Sequence, residues 1–203
     1  MFWLYLAVIA VVGYLLGCVN GAIIISKYVM KKDVRTLGSG NAGLTNFYRN
    51  FGKKAAVWVV LIDVLKSVVS GLFAGWLMGR LGYKMLGQEI SLLFVVLGHM
   101  FPVFSGFRGG KGILTCVGGV LVFDWRVIAL LLAVFIIVTA LTKYVSLGSI
   151  SACVAYPLLM LAFHGDLWLT VIAAATGLAI IAKHSGNIKR LIRGEEPKFK
   201  LKK

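Results

Sequence analysis

The chain has 203 residues, 60% of them hydrophobic before its 24 glycines are counted, and only 14% charged. A soluble domain of this length has no interior large enough to hide that much apolar surface, which excludes a soluble enzyme, a disordered chain, a disulfide scaffold and an independently folded extramembrane domain. A net charge of +15 on so apolar a chain points to the bilayer surface and to small anions rather than to nucleic acid.

Residues 2–26 contain no Asp, Glu, Lys or Arg and approach the ~20 residues that cross a bilayer core. No positively charged segment precedes them, and Lys27, Lys31 and Lys32 follow, so this run is expected to stay in place as a first helix with its N-terminus outside. Cys18 within it, Cys116 and Cys153 lie far apart in apolar segments and read as packing residues.

The loop that follows carries Gly38-Ser39-Gly40-Asn41-Ala42-Gly43-Leu44-Thr45-Asn46 and then Arg49. Glycines let backbone N–H groups turn inward around an anion, to which Ser39 and Arg49 add a hydroxyl and a forked cation. The bland alternative is a flexible connector. The stretch also matches G-x-G-x-x-G with Asp63 downstream, but a dinucleotide fold needs a strand before its glycines, and here a membrane-length apolar run and a basic loop precede them.

A second apolar run, 55–77, contains Asp63 and Lys66. Their i, i+3 spacing places them on one helix face, so they read as a structural intramembrane ion pair, with a proton relay or ion path as the sharper alternative. The third run, 90–107, leads into Gly98-His99-Met100-Phe101-Pro102-Val103-Phe104-Ser105-Gly106-Phe107-Arg108-Gly109-Gly110-Lys111-Gly112. Gly109, Gly110 and Gly112 around Lys111 suit a loop closing on a phosphate, although this is not a Walker A sequence.

Residues 112–123 are short for a span, about 18 Å against a hydrocarbon core of roughly 30 Å. The runs 127–142, 144–163 and 167–182 complete the series. The last meets His184-Ser185-Gly186-Asn187, whose His184 and Asn187 share a face if the helix continues, followed by a basic stretch that reads as an anchor to anionic lipid.

Counting Lys and Arg between the runs gives seven in 27–54, two in 78–89, two in 102–112, one in 124–126, one in 142–148 and eight in 183–203. The positive-inside rule then favours seven transmembrane helices with the N-terminus outside and the C-terminus cytoplasmic, eighteen basic residues lying inside and three outside. Five spans plus a re-entrant hairpin around Asp124 is the alternative. The whole chain, 1–203, is expected to form one all-α, polytopic membrane domain with 183–203 as a basic cytoplasmic tail.

Together the three polar segments resemble the acyl-phosphate-dependent glycerol-3-phosphate acyltransferases of bacterial membranes, the PlsY family. They are similar to its G-S-G-N-x-G-x-T-N-x-x-R, G-H-x-F-P-x-F-x-x-F-[KR]-G-G-K-G and H-x-x-N-I-x-R-L-x-x-G-x-E-x-K motifs in the same order, and Asp63 and Lys66 resemble its D-x-x-K. Ala42 and Leu44 stand where the family more often has proline and alanine, Ile113 and Leu114 replace Val-Ala, and Ser67 replaces a glycine. The resemblance implies a bacterial inner-membrane enzyme that transfers a fatty acyl group from acyl phosphate to the sn-1 hydroxyl of glycerol 3-phosphate on the cytoplasmic face. It implies Ser39, Lys111, His184 and Asn187 as catalytic, and Arg49, Gly40, Asn41, Gly43, Thr45, Asn46, Gly109, Gly110 and Gly112 as substrate- or phosphate-binding, the glycines through their backbone donors. No metal, cofactor or obligatory protein partner is called for. The rival reading is a small-anion transporter using Asp63 and Lys66, for which the outer loops are too short to build a second polar face.

Overall fold

The computed structural model describes residues 1–199, so Lys200, Lys202 and Lys203 of the basic tail lie outside the described residues. All regular structure among the described residues is helical, and the chain divides into two compact units, Met1–Phe123 and Asp124–Lys203.

The first unit contains α1 (Phe2–Cys18), α2 (Gly21–Ile24), α3 (Leu44–Phe51), α4 (Lys53–Gly79), α5 (Lys84–Met100) and α6 (Ile113–Phe123). The second contains α7 (Trp125–Thr142), α8 (Val145–His164), α9 (Leu167–Lys183) and α10 (Ser185–Ile192). Five of the seven apolar runs seen in the sequence each fall on one helix, while 2–26 and 90–107 run past the ends of α1 and α5. Among the described residues five helical stretches are long and apolar enough to cross a membrane, and α9 with α10 makes a sixth if that pair, bent by 61°, is one span. The run 112–123 forms α6, an apolar helix of 11 residues.

The helices are sorted inside out relative to a soluble bundle. On α4 the exposed face is Leu61, Leu65, Val69, Leu72 and Trp76, whereas Asp63, Lys66, Ser67, Ser70, Gly71 and Ala74 are buried. Such a surface is stable only against hydrocarbon, where polar side chains turn inward to find partners.

With lipid as apolar as the side chains, helices gain contact by approaching closely through small residues. Gly17 of α1 meets Gly98 of α5 so tightly that a Cβ on either would strike the other's backbone. Gly118 plays the same part between α6 and α4, Gly148 between α8 and α7, and Gly177 between α9 and α8.

The predicted first span is interrupted. α1 ends at Cys18, and Asn20 restarts the helix by accepting from the Ile23 N–H at 3.0 Å. After a π-helical turn at Ile25–Val29, Ser26 receives the Val34 N–H on its hydroxyl and donates to the Ile23 carbonyl, each at 3.1 Å. The chain thus folds back so that Val34, Ala42 and Phe47 pack on Ala22, Ile23, Ala56 and Val59. α5 stops at Met100 rather than running to residue 107, because Pro102 has no N–H with which to continue the helix.

Candidate functional site

The first polar segment is a loop organised by one amide. Asn46, buried in the first turns of α3, accepts the Ser39 N–H at 3.1 Å and donates through Nδ2 to the carbonyls of Val34, Leu37 and Asn41 at 3.0–3.1 Å. Its side chain therefore serves the loop's own backbone, although the motif alone placed it among phosphate ligands. Gly38 lies against it in the left-handed region, φ +53°, where an added Cβ would come within 2.5 Å of Asn46 Oδ1. This internal scaffold holds Ser39 and Gly40 exposed at the loop's outer edge, with Thr45 and Arg49 exposed on α3 and Asn41 half-buried between them.

The second segment folds back onto the end of α5. The Gly109 N–H donates to the Met100 carbonyl and the Gly110 N–H to the His99 carbonyl, both at 3.1 Å, and the Gly40 N–H in the first loop donates to Leu37 at 3.0 Å. This corrects the expectation that Gly40, Gly109 and Gly110 present their N–H groups to a ligand. What these glycines of the second loop supply is proximity: a Cβ at Gly109 would strike the His99 carbonyl, and one at Gly110 would strike the His99 ring and stand 2.6 Å from the Ala42 carbonyl. The two loops consequently touch, Gly110 lying against Ala42. Gly43 and Gly112 remain as the residues that open α3 and α6, where first-turn N–H groups gather. Lys111 is half-buried beside them.

Beneath this contact is a buried charged cluster. Lys66 Nζ is 2.9 Å from Asp63 Oδ1, 2.8 Å from His99 Nδ1, and 3.2 and 2.7 Å from the carbonyls of Gly17 and Val19. His99 Nδ1 faces this ammonium and also lies 3.5 Å from Asp63 Oδ1. Asp63 Oδ1 also accepts the Gly21 N–H at 3.1 Å. Asn20 Nδ2 donates to Ala42 O at 3.2 Å and lies 3.4 Å from His99 Nδ1, reaching from the cluster to the first loop. His99 and Asn20 were not singled out in the sequence; His99 sat inside the second motif, but Asn20 had no motif to mark it.

Two further residues absent from the sequence expectation join the loops at the surface. Asp33 and Arg35 form a forked pair, with Nη2 at 2.8 Å and Nε at 3.0 Å, and Arg35 Nη1 donates to the Ser105 carbonyl at 2.8 Å. The Arg35 hydrogen bonds hold the Asp33 carboxyl below the usual carboxylate range.

The second unit carries the third segment. α9 does not continue through it: the chain bends at His184, which closes α9 and opens α10, and Asn187 donates its N–H to the His184 carbonyl at 2.8 Å. Both side chains are buried. His184 Nδ1 lies 2.8 Å from the Ile180 carbonyl, which can only accept, so Nδ1 bears the proton and Nε2 is the basic nitrogen.

Asn187 Nδ2 donates to Glu196 Oε1 at 2.6 Å, and the same carboxylate receives Ser146 Oγ at 2.6 Å and Arg190 Nε at 2.7 Å. Burial pushes the Glu196 carboxyl up, but these three donors outweigh it and hold it below its ordinary value. The tail past Gly194 turns back, and Phe199 donates its N–H to the Lys143 carbonyl at 2.7 Å. Glu196, which stands in the third motif beyond Gly194, thus returns to Asn187 of the same motif and adds Ser146, which no local pattern announced.

The glycerol-3-phosphate acyltransferase family model matches residues 7–194. A glycerol-3-phosphate acyltransferase of Thermoanaerobacter pseudethanolicus is 43% identical over 196 residues, 97% of this chain and 96% of the relative. That of Clostridioides difficile is 41% identical over 197 residues, again 97% and 96%. Among solved structures, the glycerol 3-phosphate form of PlsY, an integral membrane glycerol 3-phosphate acyltransferase, superposes with a TM-score of 0.87 at 33% identity over 96% of each chain. Its lysophosphatidic acid form gives 0.84 at 32% identity, covering 96% of this chain and 95% of that one.

Proposed function

Because this chain belongs to the glycerol-3-phosphate acyltransferase family, we propose that it transfers a fatty acyl group from acyl phosphate to the sn-1 hydroxyl of glycerol 3-phosphate, releasing lysophosphatidic acid and phosphate. The observation that carries the reading to chemistry is the contact of the two glycine-rich loops through Gly110 and Ala42, which sets Ser39 and Lys111 on neighbouring backbone in the first unit. Both substrates carry phosphate, and two adjoining loops with cations suit two anions.

In this reading the acceptor hydroxyl attacks the acyl carbonyl carbon, the carbon–oxygen bond to phosphate breaks, and the departing phosphate takes the hydroxyl proton. Arg49 and Lys111 hold phosphates and offset charge in the transition state; Ser39 and Asn187 orient the acceptor or polarise the carbonyl. His184 binds rather than abstracts in this reading: its Nδ1 is held by the Ile180 backbone carbonyl, and the departing phosphate takes the proton. The cluster at Asp63 and Lys66 is structural: Lys66 meets two carbonyls, a carboxylate and a ring nitrogen, all from the protein.

The chain is a multi-pass membrane protein. We place it in the bacterial inner membrane with seven spans, its N-terminus outside and the three motifs cytoplasmic, on the strength of the basic-residue distribution. The family match runs across both units, which supports one acyltransferase domain.

The test is purified protein in detergent with glycerol 3-phosphate and either acyl phosphate or acyl coenzyme A. Lysophosphatidic acid from acyl phosphate alone is expected, and equal rates with both donors would refute the assignment of two small phosphate loops. Single cysteines at Ser39, Ser105 and Ser185 should be shielded from an impermeant thiol reagent in intact cells while one at Gly165 reacts; opposite labelling of Ser39 and Ser185 would undo the topology.

A further inference from the structure

We propose that Arg35 is a positioning residue that fixes the distance between the two motif loops, an inference that rests on the acyltransferase reading. Its guanidinium is divided between two partners. One edge is forked onto Asp33, which also opens the Val34–Thr36 turn by accepting the Arg35 N–H at 2.9 Å. The remaining Nη1 crosses seventy residues of sequence to the Ser105 carbonyl. Both side chains of the pair are largely withdrawn from solvent, 18% and 19% exposed, so the bonds are poorly contested by water.

The two ends of this bridge are well placed to set geometry. Arg35 leads directly into the loop of Ser39, and its own carbonyl lies against Gly40, 3.3 Å from where a Cβ would stand. Ser105 opens the turn through Gly106 and Phe107, both in the left-handed region, that delivers the chain to Lys111. Ser105 and Phe107 close that turn by donating to the Pro102 carbonyl at 3.0 Å. Each loop is therefore internally rigid, and the Arg35 bridge ties one to the other at the surface as Asn20 and His99 do beneath.

Arg35 is not itself a phosphate ligand in this scheme, because the Asp33 carboxylate already offsets its charge. What it controls is alignment. With one phosphate on each loop, loss of the bridge leaves each substrate able to bind but lets the hydroxyl and the acyl carbonyl drift out of register. Lysine cannot substitute: its ammonium keeps the charge near Asp33 but lacks a planar fork able to serve carboxylate and carbonyl in opposite directions.

The experiment uses full-length wild type, Arg35→Lys and Arg35→Gln in detergent. Steady-state turnover with acyl phosphate and glycerol 3-phosphate is measured beside calorimetric titration with glycerol 3-phosphate alone. Both variants should bind with wild-type stoichiometry and a Kd within about threefold, while kcat falls at least tenfold. Near-normal kcat in Arg35→Lys with a loss only in Arg35→Gln would make charge sufficient and overturn the bridge. A fall in binding stoichiometry matching the fall in kcat would reduce Arg35 to a folding role and overturn it as well. Wild type that makes no lysophosphatidic acid would refute the acyltransferase reading instead, so the two failures are distinguishable.

Discussion

The two units hold their motif residues by different means. In the first, geometry is set by backbone approach: Gly110 presses on His99 and Ala42, and one buried amide, Asn46, gathers carbonyls from Val34, Leu37 and Asn41. In the second, side chains tether side chains: Glu196 collects Ser146, Asn187 and Arg190, and Gly186 has open space around it, its nearest neighbour being Arg190 Nη1 at 3.7 Å from an added Cβ. Where backbone does the positioning, glycine and asparagine are dictated by space; where side chains do, the chemistry of the tether is dictated and Gly186 is not.

The sharpest way to break this contrast is Asn46→Asp. A carboxylate would face three carbonyls with no proton to give, so a loss on the order of 3 kcal/mol or more is expected, read as a lower thermal midpoint in detergent together with lost turnover. Normal stability in this variant would mean that the amide does not organise the loop. Arg49→Lys follows, with an expected loss of about 1.5–3 kcal/mol in kcat/KM if the guanidinium grips a phosphate with its fork. Near-normal turnover of the Lys variant beside a dead Ala variant would indicate a field effect. The glycines then test the contrast directly. Gly110→Ala should cost about 1–3 kcal/mol by overpacking, whereas Gly186→Ala should stay within a few tenths on unfolding and within twofold in turnover.

In the second unit, His184→Asn should raise KM for glycerol 3-phosphate about tenfold, roughly 1.4 kcal/mol, with a smaller fall in kcat. A thousandfold drop in kcat at unchanged KM, rescued by imidazole, would make His184 the base. The smallest effect belongs to the Glu196 tether. Its folded pKa is depressed, so its stabilisation is present above the ordinary glutamate value of about 4.3 and is lost as pH falls through the folded value. The protection factor of the Phe199 amide, which corrects for the intrinsic slowing of exchange in acid, should be high at about pH 6 and fall as the carboxylate is protonated; a low factor at both ends would show that the carboxylate does not hold the tail.

The apolar runs were legible because bilayer crossing imposes a length and makes charge costly, and those two constraints survive in one dimension. The ends of the elements were not. Residues 2–26 read as one span, yet Asn20 caps a new start within it, and 90–107 read as one helix that Pro102 cuts short. The motif residues were legible as a set. Their partners were missed because they meet through space: Arg35 reaches Ser105 seventy residues on, and Glu196 reaches Ser146 fifty residues back. His184 and Asn187 kept their spacing but not the continuous helix expected to carry it.

The brevity of α6 has a mechanical consequence. Its 11 residues rise about 16 Å, near half of the hydrocarbon thickness, and it is fastened to α4 where Gly118 meets the Val64 carbonyl. In the seven-span arrangement proposed above it obliges the surrounding lipid to thin, at a cost of fractions of a kcal/mol for each ångström of mismatch. That load grows with the length of the neighbouring acyl chains and bears on the helix that Lys111 and Gly112 lead into. In that arrangement, an enzyme that commits acyl chains to a membrane is exposed, through one short apolar helix, to the thickness of the membrane it helps to make.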